Sequence, residues 1–411
     1  MTSKETKPPA KLKRTLTLPL LVFYGVGVTV GAGIFALIGE VLALAGDQAP
    51  LSFLLAGMIA GVTGISYALL IRRYPVAGGE AVFVNRGLGS VFARLAGFGV
   101  VATGIISSAA IALAFAGYVQ VFLALPETLL VFAIILILFG IAWFGVRESV
   151  AFAALVTLVE VGTLIVVIVF GLPLLSDYSA VGNTFVPSLN SAALAGIVSG
   201  GVLAFFAFIG FEDIVNMSEE TQKAERTVPL AVVWTLGITL VIYVVLAVIA
   251  ALAANREAIT SSSAPLAALF ESVSGLSGKS VAAMATIAMV NGILVQIVMA
   301  SRVLYGMANE GLAPQWFAKV DDRRQTPARA TLTVALIVLG LALFFPLVRL
   351  AEATSLFTLS VFALVNLALF AVGGQIGEGA IHQFRWWGIL GAAMCLSIAG
   401  FQIFSGVSGG H

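Results

Sequence analysis

Three stretches of this sequence carry groups that could do chemistry. In "YGVGVTVGAGIFALIGE", Tyr24 to Glu40, five glycines interrupt an apolar run. In "GVLAFFAFIGFEDIVNMSEE", Gly210 separates two apolar halves, and Glu212, Asp213 and Asn216 follow it. In "FAALVTLVEVGTLIVVIVFG", Glu160 stands alone, with nothing in its own run to neutralise it. A backbone opened by glycine leaves amides and carbonyls without helical partners, and the amides at the start of the next half-helix are a site for a carboxylate. A lone carboxyl in an apolar run is either hydrogen-bonded to a neighbouring element or takes up and releases a proton.

The elements that position these groups follow from composition. Of 411 residues 60% are hydrophobic and 10% charged, and the mean hydropathy is +1.09; no soluble globular domain has this composition. Apolar runs long enough to cross a hydrocarbon layer of roughly 30 Å start near Leu18, Leu51, Val91, Thr128, Val150, Ala192, Val228, Ser280, Ala328, Pro346 and Trp386. They predict about eleven transmembrane helices in an all-α membrane protein. A transmembrane barrel needs alternation at period two, whereas "LLVFAIILILFGIAWFG" is apolar throughout.

With the N-terminus inside and the runs alternating, Arg256, Lys279 and Arg349 alone among the 21 Lys and Arg fall outside. The positive-inside rule therefore predicts a cytoplasmic N-terminus and a multi-pass protein of the cell's inner (plasma) membrane. The first run exceeds the apolar core of a signal peptide and ends in no small-residue cleavage site, so it is kept as a helix. The expected organisation is a cytoplasmic tail over residues 1–14, with Met1 to Lys11 disordered, and a single transmembrane domain over 15–411.

Cys395 is the single cysteine, and His382 and His411 are the only histidines. No metal-ligand spacing and no phosphate loop occurs, so no enzyme, no cofactor, no metal and no ATP drive is expected. The net charge of +1 is explained by topology and gives no sign of nucleic-acid binding. The expected partners are a small substrate, a coupling ion and the lipid bilayer.

The glycines of the first run admit two readings. Gly27 and Gly31 match the G-x-x-x-G helix-packing spacing. Gly31 and Gly33, two apart, lie on different helix faces, so one packing seam does not account for both. A local break does. The half-helix after the break then aims its opening amides and positive dipole end into a cavity, a site for a substrate carboxylate. Gly210 lies five runs later, an odd offset, so the two breaks cross the membrane in opposite directions. That is the geometry of a five-plus-five inverted repeat with broken first and sixth helices.

"VGAGIF" (Val30 to Phe35), "FFAFIGFED" (Phe205 to Asp213), "SEETQKAERTVPLAV" (Ser218 to Val232) and "ASRVLYGMANEGLAPQWFAKV" (Ala300 to Val320), in this order, resemble the amino acid, polyamine and organocation transporter superfamily. Its bacterial amino acid permeases and its cationic amino acid transporter branch are the most similar. The resemblance implies secondary transport of an amino acid or amine. It implies a carboxylate site at the Val30, Gly31, Ala32 and Gly33 break, on the amides of Ala32 and Gly33. It places the ammonium group at the carbonyls of Phe206, Ala207 and Ile209, with Phe205 and Phe208 as pocket walls or gates. Many relatives carry a hydroxyl residue where this chain has Ala32, and an Asn-Pro pair after the glutamates where it reads "SEETQKAERTVP".

Among the remaining polar residues, Thr103, Ser107 and Ser108 either line the cavity or bond the backbone of their own helix. Asn291 and Gln296 either line it or join helices. Glu212 and Asp213 are candidates for the pocket or its gate. Glu160 falls roughly 15 to 20 Å below the cytoplasmic edge near Arg147, close to mid-membrane. Holding a charge there costs about 2.5–3.5 kcal/mol. The resemblance puts it beside the first helix, where sodium-driven relatives of the fold bind their cation, and the expectation is that Glu160 carries a proton instead. A proton-coupled amino acid symporter is the favoured reading. An exchanger without proton coupling and a polyamine transporter are the alternatives, and an ion channel lacks a visible filter.

Overall fold

The computed structural model describes residues 14–76, 78–144, 150–321 and 326–408. The expected N-terminal tail lies outside the described residues except for Arg14, as do Arg147 and His411.

Most of the described residues are helical. In order, the helices are α1 (Leu18–Ala45), α2 (Ala49–Arg73), α3 (Gly79–Leu88), α4 (Ser90–Gln120), α5 (Glu127–Phe144) and α6 (Val150–Gly171). After these come α7 (Tyr178–Thr184), α8 (Ser191–Phe206), α9 (Asp213–Asn216), α10 (Ala224–Leu252), α11 (Arg256–Thr260) and α12 (Pro265–Ser274). The chain closes with α13 (Lys279–Asn309), α14 (Ala328–Phe344), α15 (Leu347–Ile376), α16 (Gly379–Gln383) and α17 (Arg385–Ser408). Each expected start coincides with a helix start to within a few residues; the widest gap is at Val228, where the helix already begins at Ala224. In lipid the backbone must satisfy its own hydrogen bonds, so a long apolar run has little choice but to be a helix.

Among the described residues, eight helical stretches are long and apolar enough to cross a membrane, the first running through both α1 and α2, and α8 and α14 are shorter apolar helices. This is an all-α multi-pass membrane protein. Local signals set the ends: Pro19, Pro50 and Pro265 open α1, α2 and α12, and the Asn190 side chain accepts from the Ala193 amide, 2.7 Å, at the start of α8.

Helix α1 is interrupted where the glycines predict. Gly31 has φ 24° and ψ −151°, a conformation that a side chain would oppose. The second interruption follows α8. With 16 residues α8 extends about 24 Å, short of a full crossing, and residues 207–212 run open to α9 with Gly210 at φ 120°. The two interruptions touch: a Cβ on Gly210 would stand 2.8 Å from the Val28 carbonyl oxygen.

Around these segments α1 packs against α6, α8 and α10, while α13 packs along α4 and α15 along α4 and α17. Helix α1 is buried on all sides at its middle, from Val26 through Leu42, which fits an apolar helix placed inside a bundle. Leu16 pairs with the loop before α10, its amide donating to the Glu220 carbonyl and its carbonyl accepting from the Gln222 amide, both 3.0 Å.

Candidate functional site

A cavity of about 120 Å³ lies against the break in α1, room for several water-sized groups. Its walls come from five places: Tyr24 through Gly33 on α1, Ser107 and Ile111 on α4, Thr157 and Glu160 on α6, Phe206 and Ile209 around the end of α8, and Asn291 through Gln296 on α13. The break makes Ala32 and Gly33 the opening residues of the second half-helix, whose first amides have no acceptor one turn earlier. Those amides and the dipole end of the half-helix make this side of the cavity electropositive.

Glu160 supplies a carboxyl group on another wall. It is 3% exposed and lines the cavity, and among the described residues its carboxylate has no hydrogen-bond or ion-pair partner. Helix α6 brings it there through a close seam with α1: a Cβ on Gly27 would collide with the side chain of Thr157, one turn before Glu160. Gly27 thus serves helix packing while Gly31 serves the break, and both readings of the glycines hold at different positions.

The expected residues divide. Gly31, Ala32, Gly33, Phe206, Ile209, Glu160, Ser107 and Asn291 line this cavity. Val30, Phe205, Ala207 and Phe208 do not. Phe205 stacks edge-on against Phe362 of α15, ring centroids 5.8 Å apart, and Phe208 against Tyr243 of α10, 5.1 Å. Their rings belong to the core in this conformation, because Phe205, near the end of α8, meets α15, and Phe208, in the open segment after it, meets α10.

Two of the carbonyls expected to receive an ammonium group already accept one hydrogen bond, Phe206 from the Ile209 amide, 3.3 Å, and Ala207 from the Tyr243 hydroxyl, 2.8 Å. Each keeps a second lone pair.

Glu212 and Asp213 line a second cavity, also about 120 Å³, together with Glu80, Asn216 and Thr358. Glu212 accepts from the Gly210 amide, 2.8 Å, capping the open segment. Thr103 bonds Thr358, 3.2 Å, and Ser107 and Ser108 bond the Gly104 carbonyl, 3.2 and 2.7 Å. For Ser108 the backbone reading is the one observed; Ser107 does both.

Two residues went unread in the sequence. Tyr243 places one hydroxyl 2.8 Å from the Ala207 carbonyl, 3.1 Å from that of Thr29 and 3.3 Å from that of Val30, so it ties the two interrupted segments together. A lone tyrosine in "TLVIYVVLAV" is the one available signal, since a buried phenol needs a partner. Glu80, 7% exposed, accepts from the Tyr67 hydroxyl, 3.0 Å. Burial raises its carboxyl above the usual range, and the hydrogen bonds it accepts oppose this. It stands in a loop-like stretch, "YPVAGGEAV", which reads as solvated.

At the end of the molecule away from the second cavity the packing is tight. The Tyr118 hydroxyl donates to the Phe35 carbonyl, 2.7 Å, and accepts from the Leu266 amide, 3.2 Å, joining α1, α4 and α12. Asp47 and Arg256 form an ion pair nearby.

A sequence family described as amino acid permease matches residues 16–410. Among curated proteins, the chain is 29% identical over 388 residues to a vacuolar cationic amino acid transporter of Arabidopsis thaliana, covering 89% of this chain and 64% of that protein. It is 26% identical over 389 residues to a branched-chain amino acid permease of Lactococcus lactis, covering 89% and 83%. It is also 26% identical over 383 residues to a methylthioribose transporter of Bacillus subtilis, covering 88% and 81%. The chain thus spans a little under two thirds of the length of the plant relative.

Proposed function

This chain belongs to the amino acid permease family, and on that premise we propose that it carries an amino acid across the cell's inner membrane by alternating access, with a proton as the coupling ion. One observation carries the reading: two interrupted helices meet beside a cavity that holds an unpartnered buried carboxyl group, Glu160. The substrate carboxylate rests on the amides of Ala32 and Gly33, and its ammonium group turns towards the carbonyls of Phe206, Ala207 and Ile209. Ala32 has no hydroxyl, so backbone alone holds the carboxylate.

On this reading residues 15–411 form one transmembrane domain of eleven crossings and a five-plus-five inverted repeat, with the N-terminus in the cytoplasm. The second cavity lies on the cytoplasmic side, and the seal made by Tyr118 and the Asp47–Arg256 pair lies on the outer side. The described conformation is then closed outward. Glu160, protonated when substrate is bound, biases the exchange between outward and inward forms. The substrates named for the Arabidopsis and Lactococcus relatives differ in their side chains, and the amino acid frame that these two share, carboxylate plus ammonium, is the part that the breaks would recognise.

Uptake of labelled amino acids into proteoliposomes tests this against the other classes: ion current without uptake would make it a channel, and altered product an enzyme. Within the transport reading, a simple carboxylic acid lacking the amine should compete poorly with its parent amino acid, because the carbonyls would be left unpaired. Equal competition would sink the arrangement.

A further inference from the structure

Ile209 and Gln296 line both cavities, so they form the partition between the proposed substrate chamber and the second cavity. Ile209 comes from the open segment after α8, Gln296 from the middle of α13. The Gln296 amide oxygen is buried without a hydrogen-bond partner. A buried amide oxygen without a partner disfavours the state that holds it and is relieved when a hydrogen-bond donor is brought to it.

The position of Gln296 relative to the substrate frame follows from α13. Gly292 stands at the level of the break, since a Cβ added to it would lie 3.8 Å from the Ala32 Cβ. Gln296 is four residues further along, about 6 Å on the helix axis, towards the second cavity. That separation matches the reach of an amino acid side chain whose carboxylate is held at Ala32 and Gly33. The intervening wall is apolar at Ile111 and Val295, and Ser107 is already hydrogen-bonded to Gly104.

We infer that Gln296 is a specificity-determining residue: its amide hydrogen-bonds a polar group near the end of the transported side chain, and so favours side chains ending in an amide or amine over hydrocarbon ones of the same shape. This rests on the transport reading above. A site built to pair with a polar group discriminates against the analogue that lacks it, because its own group is then left unpaired.

The test is kcat/KM for uptake in proteoliposomes with two matched pairs, glutamine against methionine and lysine against norleucine. The wild type should prefer the polar member of each pair. Gln296→Met, close in volume, should lower that preference about tenfold in both pairs, with the hydrocarbon members losing less than the polar ones. An equal loss on both members, an unchanged ratio, or a wild type that prefers the hydrocarbon members overturns the assignment while leaving transport itself intact. A wild type that carries none of the four overturns the assignment alone; the transport reading fails only if no labelled amino acid is taken up, which separates the two failures. Gln296→Glu is the second variant should the first not insert: it should raise the lysine-to-norleucine ratio about tenfold, and no rise overturns the assignment.

Discussion

The backbone of Gly33 abuts that of Ala207 so closely that a Cβ atom on Gly33 would stand 2.7 Å from the Ala207 Cα. One residue of the first break is therefore in contact with one residue of the second. The absence of a side chain here lets the two interrupted helices meet.

Gly33→Ala should accordingly lower stability by about 1–3 kcal/mol, the usual cost of overpacking, and weaken substrate binding at least tenfold; the bulkier Gly33→Val should abolish binding. Gly61→Ala in α2 is the control, because nothing lies within 4 Å of its added Cβ and a helical Gly-to-Ala change is favourable by roughly 1 kcal/mol. Thermal unfolding and ligand binding on purified variants decide. Near-normal affinity in Gly33→Val would remove the carboxylate from this break.

Glu160→Gln fixes a neutral side chain in the chamber. Substrate exchange between equal pools should persist, and accumulation driven by an inward proton gradient should be lost. Counterflow and gradient-driven uptake, measured on the same proteoliposomes, separate the two. Wild-type accumulation by the variant would exclude Glu160 as the coupling group and favour an exchanger.

Tyr243→Phe deletes the hydroxyl that joins Ala207 to Thr29 and Val30. Leaving buried carbonyls unpaired costs about 1–3 kcal/mol, so a fall in unfolding temperature should accompany weaker substrate binding. A variant as stable as wild type would mean that water or other donors replace the hydroxyl.

Glu80→Gln should stabilise the protein at neutral pH. Burial raises the folded-state pKa of Glu80 above its ordinary value of 4.5, so its contribution to stability is present in full below that value and is lost as pH rises through the raised one. The glutamine still accepts from Tyr67 and does not titrate. The gap in unfolding temperature between variant and wild type should therefore widen from pH 4 upward and then level off. A constant gap across that range would show that Glu80 titrates as an exposed acid.

The sequence by itself determined the helices and the places where two of them fail. Lipid offers no hydrogen bonds, so the length of each apolar run fixes a helix regardless of its neighbours. A glycine at Gly31 or Gly210 marks where the chain adopts positive φ because that preference is also local. The lone carboxyl of Glu160 in an apolar run was legible as well, and the structure buries it, 3% exposed. What faces what was decided by tertiary structure alone. Phe205 and Phe208 are as apolar as Phe206, yet only Phe206 lines the chamber, because helical periodicity places a residue on a face but does not say which neighbour covers that face. Past Phe206 the helix opens, the 3.6-residue period ceases to apply, and Ile209, Glu212 and Asp213 come to line cavities whose other walls are residues of helices distant in sequence. Tyr243, 36 residues beyond Ala207 in the chain, and Gln296, on a helix further still, reach the breaks only because helices distant in sequence pack side by side, a relation that no local pattern encodes.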